Sequence, residues 1–597
     1  MRRKYDLILF TVILLIGLPA VQSVAEKINN QIGGKRSELS AEEIAGIESQ
    51  YENIPVTQWV DYNGLKPTSY AEWKSRQAEP TAFSARQVSQ ADNNRGGLKI
   101  CVIVNTGLYN DILASLNQYK ADLVAEGHTI EIITSSGGTP EDMRTFLQDR
   151  YAEGMEGCLL IGDLPIPWYE TDCWDGPTHA EFPCDLYYMD LDGNFIDDDG
   201  DGLYDAHTGD VFPEIWVGRL TPSPLTFGAS NEVDLLSNYF DKNHLYRTGN
   251  LPLQKRGLSF VEDDWIPWAV PWDLDHGLCY DTRTLIYDDI QTADTSYESH
   301  LEEEYESILL CAHSSSALHQ FKSGDNYSYT TNSEIKGIDP TAIFYNLFAC
   351  SNSRYVDNDY MGGWYIFCQS YGLVSIGSTK TGAMLSFDYF YYPFGNCATI
   401  GESFRDWFSA IASGGFTQDE TCWHYGMTLL GDPTLRAKAR QPLKIISQEI
   451  DEGRMGKYYS SSLNATGGIE PYTWQIGSGS LPAGLTLNES AGIISGTPAE
   501  YGDFDFTIVV SDGCTYSEFS DNVSFDFEIY PPCGDLDQNG LINILDAVLL
   551  INYIYKNGPE PVPLSNAYID SDDLINILDV VYLLNYIYKD GPDPICP

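Results

Sequence analysis

Two apolar segments decide how the chain reads: Ile308-Leu309-Leu310-Cys311-Ala312, followed by His313-Ser314-Ser315-Ser316, and Ile343-Phe344-Tyr345-Asn346-Leu347-Phe348-Ala349, followed by Cys350-Ser351-Asn352-Ser353. Short continuous apolar runs of this kind suit strands buried on both faces of a parallel sheet. As sheet neighbours, they would release His313 and Cys350 at the carboxyl edge, where open α/β folds place ligands. A thiol needs a base or a lowered pKa to act as a nucleophile at neutral pH, and a facing imidazole supplies that. The same pair also reads as a buried cysteine and a strand-end histidine with no chemistry.

Outward from these segments the alternation is βαβ. Strands are expected at 98–104, 128–134 and 157–161, with helices at 109–126 and 139–153, the latter opened by Thr139 and Pro140. After an acidic insertion the pattern resumes with a strand at 214–220, a helix at 229–246, a strand at 257–261, the two focal strands, and a strand at 372–376. This predicts a parallel, doubly wound sheet. Beyond Pro442 the texture becomes short β segments punctuated by Gly and Pro, as expected of a β-sandwich. The last 65 or so residues are an internal duplication sharing Leu-Ile-Asn-Ile-Leu-Asp and Asn-Tyr-Ile-Tyr-Lys.

With 597 residues the chain needs several cores. Arg2, Arg3 and Lys4 precede an apolar run from Leu7 to Leu18, too short to span a bilayer comfortably, so residues 1–23 read as a secretory signal. No later stretch reaches the ~20 apolar residues of a membrane span. The expected location is therefore secreted or extracellular. Residues 24–96 read as an N-terminal arm or propeptide, ending in the exposed-looking Asn93-Asn94-Arg95-Gly96. The formal charge of −52, from 86 acidic against 34 basic residues, argues against nucleic acid as a partner. Thirteen cysteines leave one over if all others pair, and Cys350 is the expected odd thiol. Cys101, Cys158, Cys311 and Cys368 also suit an unpaired core.

Residues 97–440 resemble the gingipain-type cysteine peptidases of the caspase-like clan. The matching features are Leu159-Leu160-Ile161-Gly162-Asp163, Asp185-Leu186-Tyr187-Tyr188, Glu214-Ile215-Trp216-Val217-Gly218-Arg219, the His and Cys strand ends, and Gly431-Asp432-Pro433-Thr434-Leu435. The resemblance implies an α/β caspase-like fold and a cysteine endopeptidase in which Cys350 attacks the scissile carbonyl and His313 manages the proton. The backbone amides of Ser314 and Cys350 would form the oxyanion hole. The family usually has Gly after its His, whereas Ser314 stands here. Asp185 matches the acid of the primary specificity pocket, implying cleavage after Arg or Lys; it also reads as a solvated strand-end acid. Cys173 and Cys184 flank this region and could bridge. With Arg specificity, Arg95-Gly96 becomes a self-processing site.

Within the acidic insertion Asp197, Asp199, Asp201, the Leu203 carbonyl and Asp205 fall at positions one, three, five, seven and nine of a Ca²⁺ loop, with Thr208 rather than Glu at twelve. The tail, 533–597, resembles a dockerin, a small α-helical Ca²⁺-binding module that docks on a cohesin. Its first loop offers Asp535, Asp537, Asn539, the Leu541 carbonyl, Asn543 and Asp546. In its second, Tyr568 replaces the first acid and Asp573 the turn glycine, while Asp570, Asp572, Asn576 and Asp579 remain. Cys533 and Cys596 bracket the module as a possible bridge. Residues 443–530 resemble the immunoglobulin-like modules of bacterial surface proteins. The combined expectation is a secreted peptidase tethered to a cohesin-bearing scaffold or surface protein. The runner-up is a non-catalytic adhesion protein that keeps the peptidase fold. A glycoside hydrolase is disfavoured, since no pair of acids sits at convincing catalytic spacing.

Overall fold

The computed structural model describes residues 54–91, 97–173, 179–228, 231–438, 443–468, 471–513, 520–570 and 572–596. The signal segment and the Arg95-Gly96 bond lie outside them. Two compact units divide the chain, residues 1–439 and 440–597.

In the first unit a helix α1 (Tyr70–Arg76) and a strand β1 (Ser84–Ala91) precede the expected βαβ run: β2 (Lys99–Asn105), α2 (Leu113–Ala125), β3 (Thr129–Ser136), α3 (Pro140–Ala152) and β4 (Gly157–Ile161). Then come β5 (Trp216–Leu220), α4 (Glu232–Arg247), β6 (Gly257–Val261), β7 (Arg283–Ile286) and β8 (Tyr305–Cys311). A two-residue strand β9 (His313–Ser314) starts a small hairpin with β10 (Leu318–Ser323) and β11 (Asn326–Thr331). β12 (Ala342–Phe348), α5 (Met361–Phe367), β13 (Val374–Ser378) and β14 (Met427–Gly431) complete the set used below. Eleven strands form one mixed sheet in the order β1-β3-β2-β4-β5-β14-β13-β12-β8-β6-β7.

Two features depart from the expected all-parallel sheet. β14 lies antiparallel to β13 and parallel to β5, so it joins the two parallel halves. β1 pairs antiparallel with β3, so the sheet recruits a strand from the arm, upstream of residue 97. Every residue of β8 and β12 is buried, as their apolar runs require. The start of α3 is a capping box: Thr139 accepts from the Asp142 amide and Asp142 reaches back to the Thr139 amide. The closing Gly431-Asp432 has a structural reason. A Cβ on Gly431, at φ +114°, would stand 2.0 Å from the Leu373 carbonyl oxygen. Asp432 accepts from Tyr119 on α2 (2.8 Å) and from Asn243 (2.7 Å) and Arg247 (2.6 Å) on α4, fastening both helices to the sheet.

The second unit opens with a sandwich. A four-stranded sheet (Gly453–Arg454, Ser520–Tyr530, Gly502–Ser511, Thr473–Gly479) and a three-stranded sheet (Tyr459–Ser462, Ile493–Gly496, Leu485–Asn488) enclose Trp474, Ile494, Phe506, Ile508, Phe525 and Phe527. Two helices of the duplicated tail, Ile544–Lys556 and Ile577–Lys589, pack through Ala547, Leu550, Val580 and Leu583. The Cys533–Cys596 bridge brackets them as expected. No described helix is long and apolar enough to cross a membrane.

Candidate active site and calcium sites

β8 and β12 are parallel neighbours with Cys311 opposite Phe348, and the Ala312 amide donates to the Phe348 carbonyl (3.1 Å). The chain therefore delivers His313 and Cys350 from the same level of adjacent strand ends. Both are buried, Cys350 completely and His313 to 7% exposure. Ser351, directly after the thiol, holds a left-handed φ of +50°, a conformation that costs a non-glycine residue ~1 kcal/mol and turns the chain sharply.

The imidazole is fixed from three sides. Its Nδ1 accepts the Gln58 backbone N–H (3.0 Å), which places the ring proton on Nε2, and Nε2 stands 3.1 Å from an Asp264 carboxylate oxygen. Trp265 packs on the ring at 4.7 Å between centroids. Burial pushes His313 below its ordinary pKa, against the pull of Asp264. Burial alone would raise the Asp264 carboxyl, but bonds from Lys322 and His313 hold it below the usual aspartate value. Glu262, fully buried 3.9 Å from Nε2, is pushed up to about 8 by burial and by the Asp264 charge. Such a set holds the imidazole in one tautomer, with Nδ1 as the accepting nitrogen and Nε2 as the donor. Asp264 was invisible in the sequence: it lies 49 residues upstream, on the turn after β6, and no local motif marks it. His319, the next imidazole along the chain, is a core residue. Its Nε2 meets the Tyr365 hydroxyl (3.1 Å), and burial lowers it to about 3.

Asp185 does not occupy an open pocket. It is 3% exposed, and both carboxylate oxygens are taken: Arg219 Nε donates at 2.8 and 2.9 Å, Tyr355 at 3.1 Å and Thr428 at 2.7 Å. Burying a carboxylate demands such partners, and Arg219 comes from the Gly218-Arg219 motif on neighbouring β5. The expected specificity acid is thus a structural ion pair. The nearby bridge also differs: Cys173 pairs with Cys422, and Cys184 is buried outside any disulfide. Cys101, Cys158, Cys311 and Cys368 are likewise buried thiols outside disulfides, so odd counting does not single out Cys350; position does. A cavity of about 440 Å³ opens beside Asp263 at the carboxyl ends of β6 and β7, with Ile266, Leu285, Ile286 and Tyr287 as apolar walls and Asp288 and Asp289 as further acids.

The acidic insertion folds as a loop around its own carboxylates. Asp197 accepts from the Gly200 (2.7 Å) and Gly202 (3.0 Å) amides, Asp199 from Asp201 (3.2 Å), Asp201 from Leu203 (2.8 Å) and Asp205 from Asp198 (2.6 Å). One oxygen each of Asp197, Asp199 and Asp201 lie within 4.8 Å of one another, as do those of Glu170, Asp199 and Asp205. Glu170 joins this second group from outside the loop, on the strand Trp168–Asp172. In the tail, Asp535 accepts from Gly540 (2.8 Å) and Asn539 (3.2 Å), while Asp546 accepts from Leu536 (2.7 Å) and Asn543 (2.8 Å). Oxygens of Asp535, Asp537 and Asp546 converge within 4.8 Å. Asn539 and the Leu541 carbonyl belong to the same turn, and Asn543 caps the helix that follows. In the second half Asp579 accepts from Ile569 (2.8 Å), Asp570 (3.3 Å) and Asn576 (2.8 Å), and Asp572 from Leu574 (2.9 Å). Asp573 takes the left-handed φ of +59° where the first half has Gly540 at +82°. Hard oxygens in a tight turn are the donor set of Ca²⁺, so both tail loops and the insertion fit that ion.

A large mixed α/β sheet with a cysteine and a histidine at its carboxyl edge is the setting of a cysteine peptidase. The family description "Peptidase family C25" matches residues 97–438, and the chain belongs to that family, the gingipain family. In the same order follow "Putative Ig domain" over residues 446–528 and "Dockerin type I domain" over residues 533–589. No curated protein matches the chain. Solved structures similar to parts of it include the protocadherin GammaB4 extracellular domain (16% identity, 18% of this chain and 19% of that one, TM-score 0.15). Others are Drosophila N-cadherin EC1-4 (11%, 19% and 29%, TM-score 0.13) and an endo-fucoidan hydrolase from glycoside hydrolase family 107 (18%, 17% and 16%, TM-score 0.13). The chain spans less than a third of each of these, and at such scores they carry no argument.

Proposed function

We propose that this chain is a secreted cysteine endopeptidase working through Cys350 and His313. The observation that carries the reading is the delivery of both residues to adjacent strand ends, with Asp264 on the far nitrogen of the imidazole. Asp264 keeps the proton on Nε2, so Nδ1 takes the Cys350 proton and returns it to the leaving amine. The thiolate attacks the scissile carbonyl, and the Ser314 and Cys350 amides receive the developing oxyanion. Water then hydrolyses the thioester. A preference for Arg or Lys before the scissile bond is retained, but carried by the cavity beside Asp263, Asp288 and Asp289 instead of by Asp185.

Ca²⁺ is held by Asp535, Asp537, Asn539, Leu541, Asn543 and Asp546, more weakly by Asp570, Asp572, Asn576 and Asp579, and in the insertion by Asp197, Asp199, Asp201, Leu203 and Asp205 with Glu170. The dockerin tethers the enzyme to a cohesin-bearing scaffold or surface protein. The exposed Ile544, Leu545 and Val548, repeated as Ile577, Leu578 and Val581, support an apolar contact there. The sandwich is a spacer. The test is hydrolysis of fluorogenic peptides ending in Arg, Lys or Asp, comparing the full chain with Cys350→Ala. Cys350-dependent turnover of Arg or Lys peptides supports the reading. Turnover of Asp peptides alone removes the cavity assignment, and no turnover from a chain whose Cys350 reacts with iodoacetamide overturns the dyad.

A further inference from the structure

Two prolines, Pro531 and Pro532, separate the last strand of the sandwich, Ser520–Tyr530, from the Cys533–Cys596 bridge that opens the tail. Proline fixes φ and stiffens such a connection. Both carbonyls are also held. Pro531 accepts from Arg454 (3.1 Å), and Pro532 accepts from the Asp535 amide (3.0 Å) and from Asn566 (3.2 Å). The sandwich and the tail are therefore joined without slack.

Across this joint the sandwich makes two contacts, and both reach the first acidic loop. Arg454, on the strand Gly453–Arg454 beside Tyr530, donates through Nη1 to the Asn566 side-chain oxygen. Asn566 is completely buried in the turn Leu564–Ala567, and its Nδ2 donates to the carbonyl of the equally buried Asp535 (3.1 Å). One amide thus carries the hold of a sandwich side chain onto the first residue of the loop. The second contact is Tyr501, directly before the strand Gly502–Ser511, whose hydroxyl donates to the Gln538 carbonyl. Its ring lies over the turn, where a Cβ on Gly540 would meet it at 3.8 Å. Gln538 stands between Asp537 and Asn539 and holds a left-handed φ of +55°, a conformation that a residue with a side chain adopts at a cost.

A loop whose shape is already fixed binds its ion more tightly, since less ordering is left to do on binding. By linkage, whatever fixes the loop is stabilised in turn by the ion. We infer that the sandwich is a working part of the first Ca²⁺ site, with Tyr501 and the Arg454–Asn566 pair holding residues 535–546 in their ligating shape. Ca²⁺ binding there is tighter while these bonds are intact, and bound Ca²⁺ tightens the sandwich. This rests on the reading of 535–546 as a Ca²⁺ loop and goes beyond the role of a spacer: sandwich and helices respond to the ion as one body.

The test uses the full chain. Ca²⁺ binding is followed by calorimetry in wild type, Asp535→Ala, Tyr501→Phe and Arg454→Met, and backbone hydrogen exchange is read by mass spectrometry on peptides covering 502–511 and 520–530. In wild type, the binding event that Asp535→Ala removes should be accompanied by slower exchange of both peptides. Tyr501→Phe, which deletes one hydroxyl, should weaken that event about threefold and Arg454→Met about fivefold, and both should blunt the exchange response. An Asp535-dependent event of unchanged affinity, with an unchanged exchange response in both folded variants, overturns the inference and leaves the Ca²⁺ reading standing. If Arg454→Met does not fold, the same result in Tyr501→Phe alone does so. A wild-type chain with no event for Asp535→Ala to remove overturns the Ca²⁺ reading and the inference with it.

Discussion

The Asp264 carboxylate stands 3.1 Å from Nε2 of His313, while the other nitrogen of the ring accepts the Gln58 backbone N–H at 3.0 Å. An acid behind the imidazole sets both its tautomer and its basicity, and this division of labour generates the first prediction.

Asp264→Ala should lower kcat about a hundredfold, within the range by which acid–base groups accelerate reactions, with little change in KM. Asp264 pulls the His313 pKa up against burial and Lys322, so its removal lets that pKa fall further. The acid limb of the kcat/KM profile should move to lower pH. A pH–rate series on the surviving activity checks both.

Glu262 gives a stability signature. Its folded pKa of about 8 lies above the ordinary value of 4.5, because burial and Asp264 oppose its charge. The folded state thus keeps a proton that the unfolded chain releases, and this contribution, full below about pH 4.5, is lost as pH rises to 8. Glu262→Gln should unfold at a temperature a few degrees (~2–4 °C) above wild type at pH 8 and at a similar temperature near pH 4.5, read by scanning calorimetry.

The Asp185–Arg219 pair should behave as structure. Arg219→Met leaves a buried carboxylate with only two neutral donors, and a loss of about 3–5 kcal/mol is expected in denaturant unfolding. Asp185→Asn should leave the ranking of Arg, Lys and other peptides unchanged in whatever activity survives; a selective loss of Arg turnover would restore Asp185 to the specificity pocket.

Calcium should act unequally on the duplicated tail. Asp535→Ala removes a ligand from the complete first loop and should abolish one calorimetric Ca²⁺ binding event and weaken cohesin capture at least ~tenfold. Asp570→Ala should do less, since Tyr568 already stands where that loop needs an acid. Chelation should reproduce the Asp535→Ala effect.

The sequence by itself determined the strands, since the apolar runs of β8 and β12 and the capping box of α3 are set by local pattern and propensity. It placed His313 and Cys350 at strand ends for the same reason: each stands two residues beyond the last residue of its strand. The tail loops were also legible, because all their candidate ligands fall within one short turn. Tertiary structure decided what depends on pairing between distant segments. Asp264 reaches His313 from another strand end, and Glu170 reaches the acidic loop from a neighbouring hairpin. Arg219 claims Asp185 because β5 runs beside that turn and a buried carboxylate must find a cation. The arm's order comes from backbone bonds to β3 and β9, and backbone hydrogen bonding leaves no mark on side-chain pattern.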